Sequence, residues 1–192
     1  MALLLIDNYD SFTYNLVHLL EPMIAVVVQR NDAIDFDSLD QFSHILLSPG
    51  PGLPKEANDL NKLIALCYSK KPIFGVCLGM QALAEFSGAE LFNQEKVKHG
   101  VSRQIEVLSD SRYLFQNSAA RLQVGLYHSW AVKGNTLGPN WRIAARSTEG
   151  VIMAIEHVNL PIAGVQFHPE SIMTPEGKQI ISNWLNHSNK HI

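Results

Sequence analysis

Within the first 76 residues, four short runs rich in branched apolar residues recur: ALLLI (2–6), AVVVQ (25–29), HILL (44–47) and KPIFGV (71–76). A strand with one face in water alternates polar and apolar residues. Runs without that alternation suit a parallel sheet covered on both faces. The segments between them carry a helical period instead. Residues 12–20 (FTYNLVHLL), a short piece within 35–42, and 56–69 read as helices, the last with Leu60, Leu63, Ile64 and Cys67 at spacings of three and four. Strand and helix alternate, which makes βαβ units.

After Gln81 a helix should run through ALAEFS and stop at Gly88, a residue free to take the left-handed cap conformation. The second half changes character. RQIEVL (103–108), VGLYHSW (124–130), WRIAARS (141–147) and VIMAIEH (151–157) follow one another with little helical sequence between them beyond a turn near 111–117. Strands in such close succession predict antiparallel pairing added to the parallel sheet. IAGVQF (162–167) reads as a further core strand. Thr174-Pro175-Glu176 predicts the start of a final helix, with a cap residue, Pro at the first position, and Ile180, Ile181, Trp184 and Leu185 as its buried stripe. No repeat, low-complexity stretch or linker divides the chain, so residues 1–192 are expected to form one domain: an open, mostly parallel sheet flanked by helices, with antiparallel strands in the second half.

A net charge of −3 and the absence of any Lys/Arg cluster leave no field to hold phosphate backbones or anionic lipid, so neither nucleic acid nor membrane is expected as a partner. The opening apolar run ends at Asp7, too short for a signal peptide or a membrane span. A cytoplasmic location with reduced Cys67 and Cys77 is therefore expected.

Three segments carry candidate chemistry. In GVCLGMQ (75–81), Cys77 sits in a G-x-nucleophile-x-G pattern at a strand-to-helix turn, which exposes the central side chain and places it at a positive helix end that favours a thiolate. The N–H of Leu78 would face a developing oxyanion. A buried structural cysteine between packing glycines is the alternative. A nucleophilic cysteine needs a base. His168, in QFHPES, follows a core strand, and Glu170 stands two residues on, where an extended chain projects both side chains to one side. A plain strand-end turn would look the same. In LLSPGPGLP (46–54), a rigid turn after an apolar strand can aim the N–H groups of Gly50 and Gly52 into a cleft, or be no more than a tight turn. Carboxyl ends of parallel strands are where open sheets place their sites.

Taken together and in this order, DNYDSFTYNL (7–16), SPGPGLP (48–54), GVCLGMQ, YHSW (127–130) and GVQFHPESIMTPEG (164–177) resemble the class I, triad-type glutamine amidotransferases over essentially the whole chain. Within that class they look most like the small subunits of anthranilate synthase and aminodeoxychorismate synthase. The resemblance implies a flavodoxin-like arrangement. It implies that Cys77 attacks the side-chain amide of glutamine, that His168 oriented by Glu170 moves the protons, and that the N–H groups of Gly50 and Leu78 hold the oxyanion. Gly50, Pro51, Gly52, Gln81, Ser129 and the Trp130 backbone would hold L-glutamine. No cofactor is implied in this chain, magnesium belonging to the partner, a chorismate-binding synthase subunit (component I) that receives the ammonia. Anthranilate is the product first expected; aminodeoxychorismate, or both, remain open, and a stand-alone γ-glutamyl hydrolase is a remoter alternative. DNYDSFTYNL and KHG (98–100) are contact or signalling candidates, although Asp10-Ser11 could equally be a helix cap. Trp130 departs from the Leu common in relatives, a change that a backbone contact tolerates. No metal site is expected: His187 and His191 stand four apart but lack a third ligand and read as solvated in a polar tail. Cys67, Trp141 and Trp184 read as core.

Overall fold

The computed structural model describes residues 1–94 and 100–190. Its main sheet has nine strands in the order β2-β1-β3-β4-β11-β10-β9-β6-β7. The apolar runs supply β1 (Ala2–Asp7), β2 (Ala25–Arg30), β3 (His44–Leu47) and β4 (Ile73–Val76), and these pair in parallel with one another and with β11 (Ile162–Val165). β6 (Val101–Val107), β7 (Arg121–Leu126), β9 (Trp141–Ser147) and β10 (Ile152–His157) extend the sheet antiparallel from β11. A separate pair, β5 (Leu91–Asn93) with β8 (Trp130–Val132), stands apart from the main sheet.

Both faces are covered, as the unbroken apolar runs require. Leu3, Leu5, Leu46, Phe74 and Val76 pack with Leu16, Val17 and Leu20 of α1 (Thr13–Leu20) and with Ile180, Ile181, Trp184 and Leu185 of α4 (Gly177–Ser188). The alternate residues Leu4, Ile6, Ile45, Leu47 and Ile73 pack with Leu60, Leu63, Ile64 and Cys67 of α2 (Leu60–Cys67) and with Leu78, Met80 and Leu83 of α3 (Leu78–Phe86). Period-two alternation thus assigns successive strand residues to opposite helix layers. Trp141 and Trp184 are buried, as expected of packing residues.

Several boundaries differ from expectation, each for a local reason. The piece within 35–42 is a 3₁₀ helix over Phe36–Gln41, where the Asp35 carboxylate accepts from Asp37 N at 3.2 Å. The helix expected from residue 56 begins at Leu60, after a 3₁₀ turn over Pro54–Glu56 and a positive φ of 48° at Asn58. VGLYHSW is not one strand, since β7 ends at Leu126 and β8 begins at Trp130. The final helix starts at Gly177 rather than at Pro175, because the Thr174 hydroxyl is committed elsewhere: it donates to His168 O at 2.7 Å and accepts from Gly125 N at 2.9 Å. His187 lies on α4 rather than in a tail, with its ring stacked 3.8 Å from that of Tyr113. His191 lies outside the described residues.

Candidate active site

β1, β3, β4 and β11 lie side by side, and the chain leaves their carboxyl ends at Asn8, Ser48, Cys77 and Gln166. One edge of the parallel sheet thereby gathers segments more than 150 residues apart in sequence.

Cys77 takes φ 51° and ψ −103°, a left-handed conformation that L side chains rarely adopt. Strain of this kind persists only where the surroundings enforce it. Here Cys77 N donates to Val165 O at 2.8 Å and Gln81 N donates to Cys77 O at 3.1 Å, pinning the turn to β11 and to α3. A Cβ on Gly75 would lie 2.4 Å from Gly79 C, and one on Gly79 would lie 2.4 Å from Leu47 O. The two bracketing glycines are thus required by close backbone approach. Leu78 opens α3, so its N–H belongs to the unpaired donors of a helix start.

His168 Nδ1 lies 2.6 Å from Glu170 Oε1, and neither side chain is more than 3% exposed. Its backbone N–H donates to Gly125 O at 3.0 Å, and Thr174 grips its carbonyl. The Tyr127 ring lies 4.7 Å from the imidazole, and Phe12 meets it edge-on at 6.1 Å. Burial alone would push the His168 pKa down, but hydrogen bonds with Cys77 and Glu170, and the negative charge of both, raise it to about 10. The imidazole therefore carries its proton at neutral pH, with Nδ1 on Glu170 and Nε2 left for Cys77.

Gly50 is wedged between Asn8 and Leu78: a Cβ there would meet Asn8 Cβ at 2.6 Å and Leu78 Cδ2 at 2.8 Å. Asn8 holds this turn with two hydrogen bonds, its N–H donating to Ser48 Oγ and its Nδ2 to Ser48 O, both at 2.9 Å. Asn31 Nδ2 in turn donates to Asn8 Oδ1 at 3.0 Å. Sequence reasoning missed Asn8; its place one residue beyond a core strand, with only 2% exposure, is the signal that a polar side chain there is satisfied by a neighbouring turn.

An open cleft of about 530 Å³ lies between Tyr9–Phe12, Pro49–Pro51, Cys77, Tyr127 and His168. Gly50 and Pro51 border it, whereas Gly52, Gln81, Ser129 and Trp130 do not. Gly52, at φ 73°, turns outward beside Glu56. Ser129 O accepts from Gln94 N at 2.8 Å. Gln81 is buried against the cysteine turn and donates to Trp130 O at 2.9 Å. Asp10 does not cap α1: its carboxylate accepts from Phe12 N at 2.8 Å, a local turn that aims Phe12 at the imidazole. Burial raises the Asp10 pKa, partly countered by its bond with Phe12 and by His168. Of KHG, Lys98 and His99 lie outside the described residues, while Gly100 borders Tyr127.

A nucleophile at a strained turn, a protonated imidazole aligned by a carboxylate and a glycine turn opposite can form and break a thioester. Residues 4–188 match the family model described as glutamine amidotransferase class-I. The chain is 43% identical over 193 residues to the aminodeoxychorismate/anthranilate synthase component 2 of Bacillus subtilis, covering 99% of this chain and 98% of that one. It is 42% identical to the aminodeoxychorismate synthase component 2 of Serratia marcescens, with 96% and 99% covered. It is 41% identical to the anthranilate synthase component II of Haloarcula marismortui, with 95% and 96% covered. Among solved structures, a Thermotoga maritima glutamine amidotransferase superposes with a TM-score of 0.71 at 17% identity, covering 100% of this chain and 83% of that one. That likeness shows the fold, an α/β architecture with an open and mostly parallel sheet.

Proposed function

The chain belongs to the class I glutamine amidotransferases, and from that premise we propose that it is the glutaminase subunit of a chorismate-utilising synthase, with Cys77, His168 and Glu170 as its catalytic triad. Cys77 Sγ attacks the side-chain amide carbon of L-glutamine. As the carbon–sulfur bond forms, the carbonyl oxygen takes up negative charge and receives the N–H groups of Gly50 and Leu78. Collapse breaks the carbon–nitrogen bond, and ammonia leaves with the proton carried by His168. The neutral imidazole then deprotonates water, which attacks the thioester and releases glutamate, returning the thiolate and imidazolium. Glu170 keeps the imidazole in the one tautomer that serves both halves. Pro51, which borders the cleft, is the remaining glutamine-binding residue that this reading keeps, whereas Gly52, Gln81, Ser129 and Trp130, expected from the sequence to bind glutamine, stand back from the cleft. Every step is carried by side chains and backbone, so no cofactor is assigned to this chain.

The observation that carries the reading is the His168–Glu170 contact of 2.6 Å beside Cys77, in one cleft. The names of the relatives support a partner, component I, as recipient of the ammonia, and they support both products alike. We take anthranilate as the first expectation and aminodeoxychorismate, alone or in addition, as the alternative. The DNYDSFTYNL segment and Ile172, which is 97% exposed beside Phe12 and Tyr127, form the face offered to that partner. Unpaired Cys67 and Cys77 accord with a reducing, cytoplasmic setting, and no helix among the described residues is long and apolar enough to cross a membrane.

The test reconstitutes the chain with each chorismate-utilising synthase subunit of its source organism and measures aromatic amine formed from glutamine and from ammonia. Cys77→Ser should abolish the glutamine-driven reaction and spare the ammonia-driven one. Glutamine-driven synthesis that survives Cys77→Ser contradicts the reading.

A further inference from the structure

The buried end of IAGVQF contains a polar residue that none of the roles above uses. Gln166 is fully buried and lies one residue beyond β11, between the strand and His168. Its Nε2 donates to Cys77 Sγ at 3.4 Å. Its Oε1 accepts from Gln81 Nε2 at 3.0 Å, and the same Gln81 nitrogen donates to Trp130 O at 2.9 Å.

The chemistry of this chain fixes the direction of each bond. A backbone carbonyl can only accept, so Trp130 O obliges Gln81 to turn its amide nitrogen inward. That nitrogen has two hydrogens: one goes to Trp130 and the second to Gln166. Gln166 must answer with its oxygen, and its own nitrogen is then left facing the sulfur. The opposite orientation would set two N–H groups against each other and a carbonyl lone pair against the sulfur. The amide of Gln166 is therefore held, from a fully buried position, as a donor to the nucleophile, and a hydrogen bond to a charged acceptor is stronger than one between neutral groups.

We propose that Gln166 is a catalytic residue of the glutaminase reaction, its side-chain amide donating to Cys77 Sγ to hold the thiolate in position for attack, with its orientation set by Gln81 and Trp130. The nucleophile then has two donors, His168 and Gln166, two residues apart beyond the end of β11. Only the His168 proton travels. When Sγ bonds to the substrate carbon its charge is lost, and when the thioester breaks the charge returns, so the Gln166 donor favours the leaving thiolate in the second half of the cycle as well. Both hydrogens of Gln81 are engaged within the protein, so the amide that orients Gln166 is itself fixed. A shift of Gln81 would pass through Gln166 to the sulfur.

This inference rests on Cys77 being the glutamine nucleophile, and the test separates the two. The rate of Cys77 alkylation by iodoacetamide is followed against pH on the isolated chain without glutamine, with mass spectrometry distinguishing Cys77 from Cys67. Gln166→Met fills a similar volume without a donor. It should move the alkylation midpoint upward by about one to two pH units, since a lost hydrogen bond to a charged group is worth roughly 1.5–3 kcal/mol. In the complex it should lower glutamine-driven kcat roughly tenfold or more, with ammonia-driven synthesis unchanged. Gln166→Glu places a second anion beside the sulfur and can donate only when protonated, so its glutamine-driven activity should recover as pH falls. Should Gln166→Met fail to fold, Gln166→Glu and Gln81→Met, which removes the orienting donor, still read the same midpoint. An alkylation profile and a glutamine-driven kcat both within twofold of the parent protein in any folded Gln166 variant would overturn the proposal. Loss of the glutaminase reading itself would instead show as activity retained by Cys77→Ser.

Discussion

At the scale of single residues, the site turns on one buried ion pair. His168 would lose its proton easily if burial acted alone, and it is Cys77 and Glu170 that raise its pKa to about 10. Glu170→Gln keeps the shape and one hydrogen bond but removes the charge, so the His168 pKa must fall. The alkaline limb of glutamine-driven activity should move to lower pH, and kcat should drop by roughly 10²–10⁴-fold, by analogy with the loss of the orienting carboxylate in other triads. Steady-state kinetics across pH 6–10 in the reconstituted complex would show both. Cys77, His168, Glu170 and Gly50 were legible in the sequence because each follows a recognisable strand end. Gln166 and Asn8 were not, because a buried amide in or beside an apolar strand says that a partner exists without saying which. Only the adjacency of β1, β3, β4 and β11 supplies the partners, Ser48 for Asn8 and Cys77 with Gln81 for Gln166.

At the scale of elements, two turns hold the chemistry, and glycines make both feasible. A Cβ at Gly177 would lie 1.8 Å from Pro169 O, so α4 can begin only if that residue is glycine. Gly177→Ala should displace the Pro169-Glu170 segment and lower glutamine-driven kcat, although residue 177 does not border the cleft. Gly88 is the contrast, since nothing lies within 4 Å of a Cβ there and only its φ of 92° resists. Gly88→Ala should cost about 1–2 kcal/mol of stability and leave kcat unchanged, as denaturant melts alongside kinetics would report. Thr174→Val removes the hydroxyl that ties His168 O to Gly125 N, leaving the Gly125 N–H without that acceptor and His168 O with the Ser171 N–H. About 1–3 kcal/mol of destabilisation is expected, together with a fall in kcat. Thr-Pro-Glu is a good local start signal, so the sequence alone predicts Thr174 as a helix cap. A tertiary contact to β7, remote in sequence, won over that local preference. The same limit explains why VGLYHSW looked continuous: the break at 127–129 serves Tyr127 against His168, a contact between segments some forty residues apart.

At the scale of the whole molecule, the parallel half of the sheet was readable from unbroken apolar runs alternating with helical periods. The order β10-β9-β6-β7 was not, because β6 pairs with β9 across an intervening hairpin partner and nothing local encodes that choice. The two helix layers meet the sheet through buried polar anchors as well as apolar stripes. His44 lies at zero exposure in β3, with Nε2 2.9 Å from Ser188 Oγ of α4, and burial, reinforced by the N-terminal charge, lowers its pKa to about 4. The unfolded chain takes up that proton near pH 6.5 and the folded one only near 4. The stabilisation is thus present above pH 6.5 and is lost as pH falls to about 4, by roughly 3 kcal/mol at most. Denaturant melts from pH 7.5 to 4.5 should lose this slope in His44→Gln. His168 has the opposite sign: its contribution is full below pH 6.5 and is lost as pH rises through about 10. The central claim is that this fold makes ammonia from glutamine at Cys77 for use elsewhere. The most direct measurement is mass-spectrometric trapping of a glutamyl adduct on Cys77 in the assembled complex supplied with glutamine. An adduct of one glutamyl group on Cys77, absent in Cys77→Ser, is the predicted result; glutamine-driven synthesis with the adduct on any other residue, or on none, would contradict it.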